Sequence, residues 1–178
     1  TPIGVAPTNC PGTPIAVDIT VNPNPDVTAT PSATIICSGS TTDIALSSTI
    51  AGTLYTWTAT GSSGTVTGFS NQATPVAGPI AQTLTNTGNN AATVTYTIMP
   101  LFTNGGITCT GAPTIVVITV NPTPTATATP TVNLLCSGDA TSIAINSPQA
   151  GTIFTWTVSG ATGNVVGESA CASNCGNL

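Results

Sequence analysis

Apolar and polar residues alternate strictly in several short segments of this chain. The clearest examples are residues 53–60, Thr-Leu-Tyr-Thr-Trp-Thr-Ala-Thr, and residues 92–98, Ala-Thr-Val-Thr-Tyr-Thr-Ile. A period of two is typical of a β-strand with one buried face. The side chains that this alternation sends to the apolar face are Tyr55, Trp57, Ala59, Val94, Tyr96 and Ile98. We therefore predict two strands that contribute to a common core.

Five further short runs have the composition of strands, because they are rich in Thr, Val and Ile. They are residues 33–37, 43–48, 65–69, 80–86 and 114–120. The breaks between them are rich in Gly, Asn and Ser, which are turn residues, and no segment shows helical periodicity. About seven short strands in roughly 100 residues predict an all-β, immunoglobulin-like sandwich.

The chain also repeats itself at a spacing of 99 residues. Residues 21–68 align with residues 120–167 without a gap, and about half of the aligned positions are identical. The repeat predicts tandem domains. Residues 1–23 are the C-terminal strands of a preceding repeat, 24–122 are a complete repeat, and 123–178 are the N-terminal part of a following repeat with a divergent tail.

Proline-rich linkers join these predicted units. They read Asn-Pro-Asn-Pro from Asn22 and Asn-Pro-Thr-Pro-Thr from Asn121. Closely spaced prolines favour an extended polyproline conformation. The sequence therefore predicts a semi-rigid joint and an extended rod.

The composition excludes most catalytic chemistry. The chain has no Lys, Arg or His, and its formal net charge is -5. General acid or base catalysis near neutral pH normally uses His, Lys or a tuned carboxylate, and nucleic acids are bound by Lys and Arg. The acidic residues are Asp18, Asp26, Asp43, Asp139 and Glu168. We expect no enzyme, no catalytic residues, no cofactor and no binding of nucleic acid.

No membrane insertion and no metal are expected either. No apolar run approaches the roughly 18 residues that span a bilayer. The acidic residues are scattered, without the spacing of a calcium loop of the EF-hand type. The alternative is a calcium ion at a domain junction, held by Asp26 or Asp139 with backbone carbonyls.

Six cysteines in a Thr-rich chain with few charges favour an oxidising, extracellular location. Zinc is disfavoured because no Cys-x-x-Cys pair exists. Cys171 and Cys175 are either a local disulfide or the site of a free thiol.

The other cysteines follow the repeat. Cys37 ends an early predicted strand and Cys109 precedes the last one, so we predict an intradomain disulfide between them. Such a link closes about 70 residues and stabilises the fold by roughly 4 kcal/mol. Cys10 and Cys136 occupy the corresponding positions in the two partial repeats. They are candidates for a disulfide between molecules.

Three aromatic residues are predicted to lie in the cores. Trp57, its counterpart Trp156 and Tyr96 all fall on strand patterns. The alternative for Trp57 is a surface that stacks on a sugar ring. Alternation favours the core because it places Trp57 on the apolar face.

Several of these motifs occur together in a known family. They are Ile-Cys-Ser-Gly from Ile36, Ala-Gly-Thr from Ala51, Thr-Trp-Thr from Thr56, Cys-Thr-Gly from Cys109 and Ile-Thr-Val-Asn-Pro from Ile118. This series resembles the PKD-like repeat of very large surface proteins and gliding adhesins in Bacteroidetes. The resemblance implies a secreted cell-surface β-sandwich, exported through the type IX system, that serves as stalk, adhesin or filament material. It brings no catalytic residues to this chain.

Two functions remain open at this stage. The first is a structural segment that associates with itself in a filament or with neighbouring repeats of one polypeptide. In that case residues 1–23 of one molecule are candidates to complete residues 123–167 of the next by strand addition. The second is an adhesion module that binds a glycan or a protein. The aromatic residues lie on strands rather than loops, which favours the structural function.

Overall fold

The computed structural model describes residues 3, 12–159, 167 and 169–175. Secondary structure in these residues consists of strands, which agrees with the all-β prediction. In this part of the chain, no helix has the length and apolar character that a membrane span requires. The strands are β1 (Thr28–Pro31), β2 (Ile35–Cys37), β3 (Ile44–Ser47), β4 (Leu54–Gly61), β5 (Val66–Thr67), β6 (Gln72–Val76), β7 (Thr85–Asn86), β8 (Ala92–Asn104), β9 (Ile107–Thr110), β10 (Thr114–Asn121), β11 (Thr127–Pro130), β12 (Ile143–Asn146), β13 (Phe154–Trp156) and β14 (Cys171–Cys175).

A six-stranded sheet forms one layer of the central sandwich. Its order is β2-β10-β8-β4-β6, and β9 pairs with the far end of β8. The pairings are antiparallel except that of β10 with β2, which is parallel. The long strand β8 occupies the middle because it has antiparallel partners on both sides.

The second layer is built from two small sheets, β1 with β3 and β5 with β7. Isolated bridges join Ile44 to Ile80 and Thr41 to Thr83, and so extend this layer. The buried core lies between the layers and consists of Ile44, Tyr55, Trp57, Val66, Ile80, Leu84, Ala92, Val94, Tyr96, Ile98, Val116, Ile118 and Val120. The result is an immunoglobulin-like β-sandwich.

The buried aromatic side chains satisfy their polar atoms inside the fold. Trp57 donates from Nε1 to the Ser70 carbonyl at 3.1 Å. The Tyr96 hydroxyl donates to Oε1 of Gln82 at 3.0 Å. Burying an unpaired polar group is costly, and the described residues contain no buried side-chain nitrogen or oxygen without a partner.

The strands of residues 123–175 repeat pairings of the complete sandwich. Strands β11 and β12 pair Thr127 with Asn146, which is the register of Thr28 with Ser47 shifted by 99 residues. Strand β14 pairs with β13 as β6 pairs with β4. Trp156 donates to the Ser169 carbonyl at 3.3 Å, the counterpart of the bond from Trp57. Residues 169–175, the described part of the divergent tail, therefore keep the same place in the fold.

Within residues 24–122, the sequence pattern does not predict three of the observed strands, β1, β6 and β9. The edge strand β6 contains Pro75 and has mostly exposed side chains, so its sequence shows no apolar face. Strand β9 continues β8 through a two-glycine turn, in which Gly105 and Gly106 both have positive φ. Positive φ is readily adopted by glycine. Pairing with β9 extends β8 to Asn104, beyond the predicted end at Ile98.

Strand β10 provides a test of the core. Ile118 is fully buried, whereas its neighbour Val117 points outward and is 45% exposed. We expect Ile118→Ala to lower the free energy of unfolding by about 2–5 kcal/mol, because it leaves a cavity between the layers. The control Val117→Ala should cost less than about 1 kcal/mol. Urea denaturation measures both, and equal losses would contradict the assigned faces.

Candidate functional site at the two ends of the sandwich

The linker that enters the sandwich is fixed to its near end. Nδ2 of Asn22 donates to the Asn104 carbonyl at 3.2 Å, and Nδ2 of Asn104 donates to Oδ1 of Asn22 at 2.8 Å. Pro25 is buried, and its carbonyl occupies the space that a Cβ on Gly111 would need. The linker is therefore packed against the sandwich rather than swinging free.

The linker that leaves the sandwich starts at its far end. Asn121 ends β10 beside Cys37, and the Ser38 amide donates to the Asn121 carbonyl at 2.8 Å. Across the linker, Nε2 of Gln149 donates to Oδ1 of Asn89 at 3.2 Å. A shallow groove lies here, lined by residues 89–91, 121–122, 124 and 149–153. Entry and exit thus lie at opposite ends of the sandwich.

The structure does not bring Cys37 and Cys109 together, which corrects the predicted intradomain disulfide. Cys37 pairs with Asn121 at the exit end, and Cys109 pairs with Phe102 at the entry end. Strand β8 separates the two ends, and ten residues of strand span roughly 30 Å, far more than a disulfide allows. Both thiols are free. The sequence could not predict this separation, because the order of strands along the chain does not show at which end of the sandwich each residue lies.

The remaining cysteines have different outcomes. Cys171 and Cys175 form a disulfide at the two ends of β14. Cys136 is an exposed free thiol, and Cys10 lies outside the described residues. Since Cys10 and Cys136 correspond to Cys109 and Cys37, the same separation argues against a bond between them within one completed sandwich.

Residues 12–22 carry the sequence of a core strand without its pairing. Val17, Ile19 and Val21 are 78%, 83% and 85% exposed. Their counterparts at a spacing of 99 residues are Val116, Ile118 and Val120, all buried in β10. The apolar side chains of this segment are therefore exposed to solvent.

Residues 123–175 are also incompletely covered. Phe154, Trp156 and Ile143 are only half-buried, whereas their counterparts Tyr55, Trp57 and Ile44 lie in the core. The apolar face of this partial sandwich needs further strands to become buried.

The Asp26 carboxylate, next to the linker that enters the sandwich, stabilises local structure through hydrogen bonds. Oδ1 of Asp26 accepts hydrogen bonds from the Ser48 hydroxyl at 2.6 Å, the Thr49 amide at 2.8 Å and the Thr49 hydroxyl at 2.9 Å. These bonds hold the pKa of Asp26 below its ordinary value of 3.8. Burial raises the pKa of Tyr55, and the charge of Asp26 adds to the increase.

The candidate calcium ligands also hold their own turns together. Oδ2 of Asp139 accepts a hydrogen bond from the Cys136 amide at 3.0 Å, and Asp26 is occupied by Ser48 and Thr49. Among the residues with described positions, no group of three His, Cys, Asp or Glu side chains could hold a metal ion.

The aromatic side chains do not form a binding platform. All seven lie in the described ranges, and each is buried or half-buried. Trp57 and Tyr96 belong to the core, while Phe69 packs against it. A sugar-stacking surface requires an exposed ring, and Trp57 is only 8% exposed.

The sequence indicated the linkers but missed the contacts that fix them. The bonds of Asn22 with Asn104 and of Asn89 with Gln149 join residues that are distant in sequence. The only available signal was the repeated Asn-Pro pair at the start of each linker. The role of Gly111 could not be predicted from the sequence, because it depends on the Pro25 carbonyl, which is a neighbour only in the folded structure.

Comparison with known protein families identifies a match for the central sandwich. Residues 34–124 match the family model described as a PKD-like domain, which covers just over half of the 178 residues. The match begins at β2 and ends in the linker that leaves the sandwich. No curated protein matches the chain.

Asp26 makes the sandwich sensitive to acid. Because the folded pKa lies below 3.8, the carboxylate stabilises the fold above that pH, and this contribution is lost as pH falls through the folded pKa. We expect Asp26→Asn to reduce the fall in unfolding free energy over this range. Ser48→Ala removes one donor and should give an intermediate profile. Urea denaturation at a series of pH values measures both, and a profile unchanged in Asp26→Asn would contradict this role.

Proposed function

The chain belongs to the PKD-like domain family, and on that premise we propose that it is a structural segment of an extracellular bacterial surface protein. Such domains fit adhesive or structural modules of extracellular proteins in general. In this proposal, sandwiches follow one another in series in an adhesin, stalk or filament. The parent protein is a cell-surface protein of the Bacteroidetes gliding-adhesin type, exported by type IX secretion.

The repeated pairing at a spacing of 99 residues is the observation that carries the proposal. The registers of β11 with β12 and of β13 with β14 match those of β1 with β3 and of β4 with β6. The described strands of residues 123–175 thus repeat two pairings of the complete sandwich, and residues 12–22 have the sequence of a final strand. Serial units account for both partial sandwiches.

The fixed linkers support a mechanical role. Each sandwich is entered at one end and left at the other, so units in series extend along one direction. Pro25 and the bonds of Asn22 hold the entering linker in place. A series of such units provides reach with limited bending at the joints.

The composition supports a function without catalysis. With no His, Lys or Arg, the chain lacks the usual groups for proton transfer near neutral pH. Asp26, whose pKa is lowered, uses its carboxylate for local hydrogen bonds to Ser48 and Thr49. We propose that partners are neighbouring repeats of the same kind, without a cofactor.

Serial repeats in one polypeptide explain the partial sandwiches better than strand exchange between copies. Residues 1–23 together with 123–178 would lack a counterpart of residues 80–99. That region supplies Ile80, Leu84, Val94, Tyr96 and Ile98 to the core. A sandwich without the central part of β8 has no strand to join β10 to β4. Head-to-tail complementation by residues 1–23 is therefore the less favoured route to a filament.

Adhesion to a glycan or a protein is the second function that the sequence left open. It requires exposed recognition groups on loops, and all seven aromatic residues are buried or half-buried. No feature of the described residues favours this alternative over the structural function.

Completing the third unit tests the serial arrangement. We expect a copy of residues 80–122, appended after Leu178, to continue the repeat in register and to cover the half-buried Trp156. Fluorescence emission should shift to shorter wavelength, and acrylamide quenching should fall, because Trp156 becomes buried as Trp57 is. Trp57 is common to both chains, so the difference reports Trp156.

The matched control is the same extension with Val94→Asp and Ile118→Asp in the appended copy. These charges cannot be buried in the core without a large penalty, so Trp156 should stay as accessible as in the original chain. Equal quenching of the two extended chains would count against serial sandwiches.

A further inference from the structure

The complete sandwich carries one free thiol at each end. Cys37 lies at the exit end and Cys109 at the entry end. Cys136 repeats the position of Cys37, and Cys10 repeats that of Cys109 by sequence. Each cysteine position therefore recurs at a spacing of 99 residues, and the two positions lie too far apart to bond within the complete sandwich.

Both positions lie beside a linker. Cys37 is the strand neighbour of Asn121, the first residue of the leaving linker, and neighbouring strands are about 4.8 Å apart. Cys109 lies two residues before Gly111, which packs against Pro25 of the entering linker. Two residues of strand span about 7 Å. Where two units meet, one thiol of each type therefore flanks the same short linker.

Both thiols are open to a partner. Cys37 is exposed and Cys109 is half-buried. The linker at each junction is short. Asn121 and Pro124 are three positions apart, as are their counterparts Asn22 and Pro25. At the junction after the complete sandwich, the Cys109 counterpart of the following unit would therefore lie beside Pro124, on the same linker as Cys37.

We propose that Cys37 of one sandwich forms a disulfide with the cysteine at the Cys109 position of the next sandwich, across the linker that joins them. This inference rests on the serial arrangement of the proposed function. Its partner is the following unit of the same kind. Cys136 has the same role at the next junction.

The reaction is an ordinary thiol oxidation. The two thiols lose two protons and two electrons, and a sulfur–sulfur bond forms between them. A disulfide-bonded oxidant accepts the electrons by thiol–disulfide exchange through a mixed disulfide, and is itself reduced to two thiols. An extracellular location favours the oxidised product.

The bond would hold each junction at a second point. Without the disulfide, the backbone of the linker is the single covalent connection between two units. The disulfide adds a second covalent connection. It would also explain why cysteines recur at the two ends of the sandwich, where they add nothing to the stability of a single unit.

The extended chain described above tests the proposal. It carries the full 178 residues followed by residues 80–122, so the unit after Cys37 gains a cysteine at the Cys109 position. After folding with oxidised and reduced glutathione, we expect iodoacetamide labelling of Cys37 under non-reducing conditions to fall about tenfold relative to the original chain. Mapping with endoproteinase Asp-N, which cuts before Asp26 and Asp43 and so separates Cys37 from Cys10, should recover the Cys37 peptide joined to the peptide that carries the appended Cys109.

The matched control carries Cys109→Ser in the appended copy only. Cys37 should then be labelled as in the original chain, while Trp156 remains covered. A covered Trp156 with Cys37 still freely labelled in the unsubstituted extension would overturn the disulfide and leave the serial arrangement intact. An uncovered Trp156 would instead count against the proposed function itself.

Discussion

The whole sandwich depends on the alternation of side chains along β8. Ala92, Val94, Tyr96 and Ile98 point into the core and are almost completely buried. Strands β4 and β10 pair with the two edges of this strand, and β9 continues from its far end. Because one strand organises so many others, a partial unit without it leaves its apolar residues poorly covered, as residues 123–175 show.

The contacts at the entry end of the sandwich differ in kind from those in its core. There the fold uses small residues and amide side chains rather than apolar burial. Gly111 leaves room for the Pro25 carbonyl, and Asn22 exchanges hydrogen bonds with Asn104. Hydrogen bonds to specific atoms fix a direction more closely than apolar contacts do. The segment that enters the sandwich is therefore held in a set direction.

The alternation of Thr with apolar residues was enough to predict the all-β fold and the inward faces of β4 and β8, because a period of two is a direct consequence of strand geometry. The strand β6 escaped prediction since Pro75 and exposed side chains hide an edge strand. The pairing of Cys37 with Cys109 was wrong for a related reason. Spacing along the chain gives no measure of distance along the sheet, and only the register shows that these residues lie at opposite ends. The contacts at the linkers depend on residues far apart in sequence, which no local pattern reveals.

The parallel pairing of β2 with β10 has a mechanical consequence. Strand β2 lies near the start of the sandwich and β10 at its end, so tension applied through the two linkers pulls these neighbours past each other along their length. The hydrogen bonds between Thr119, Val120 and Asn121 and the facing residues of β2 then resist together, instead of opening one after another. A unit with this geometry yields only when several hydrogen bonds break at once.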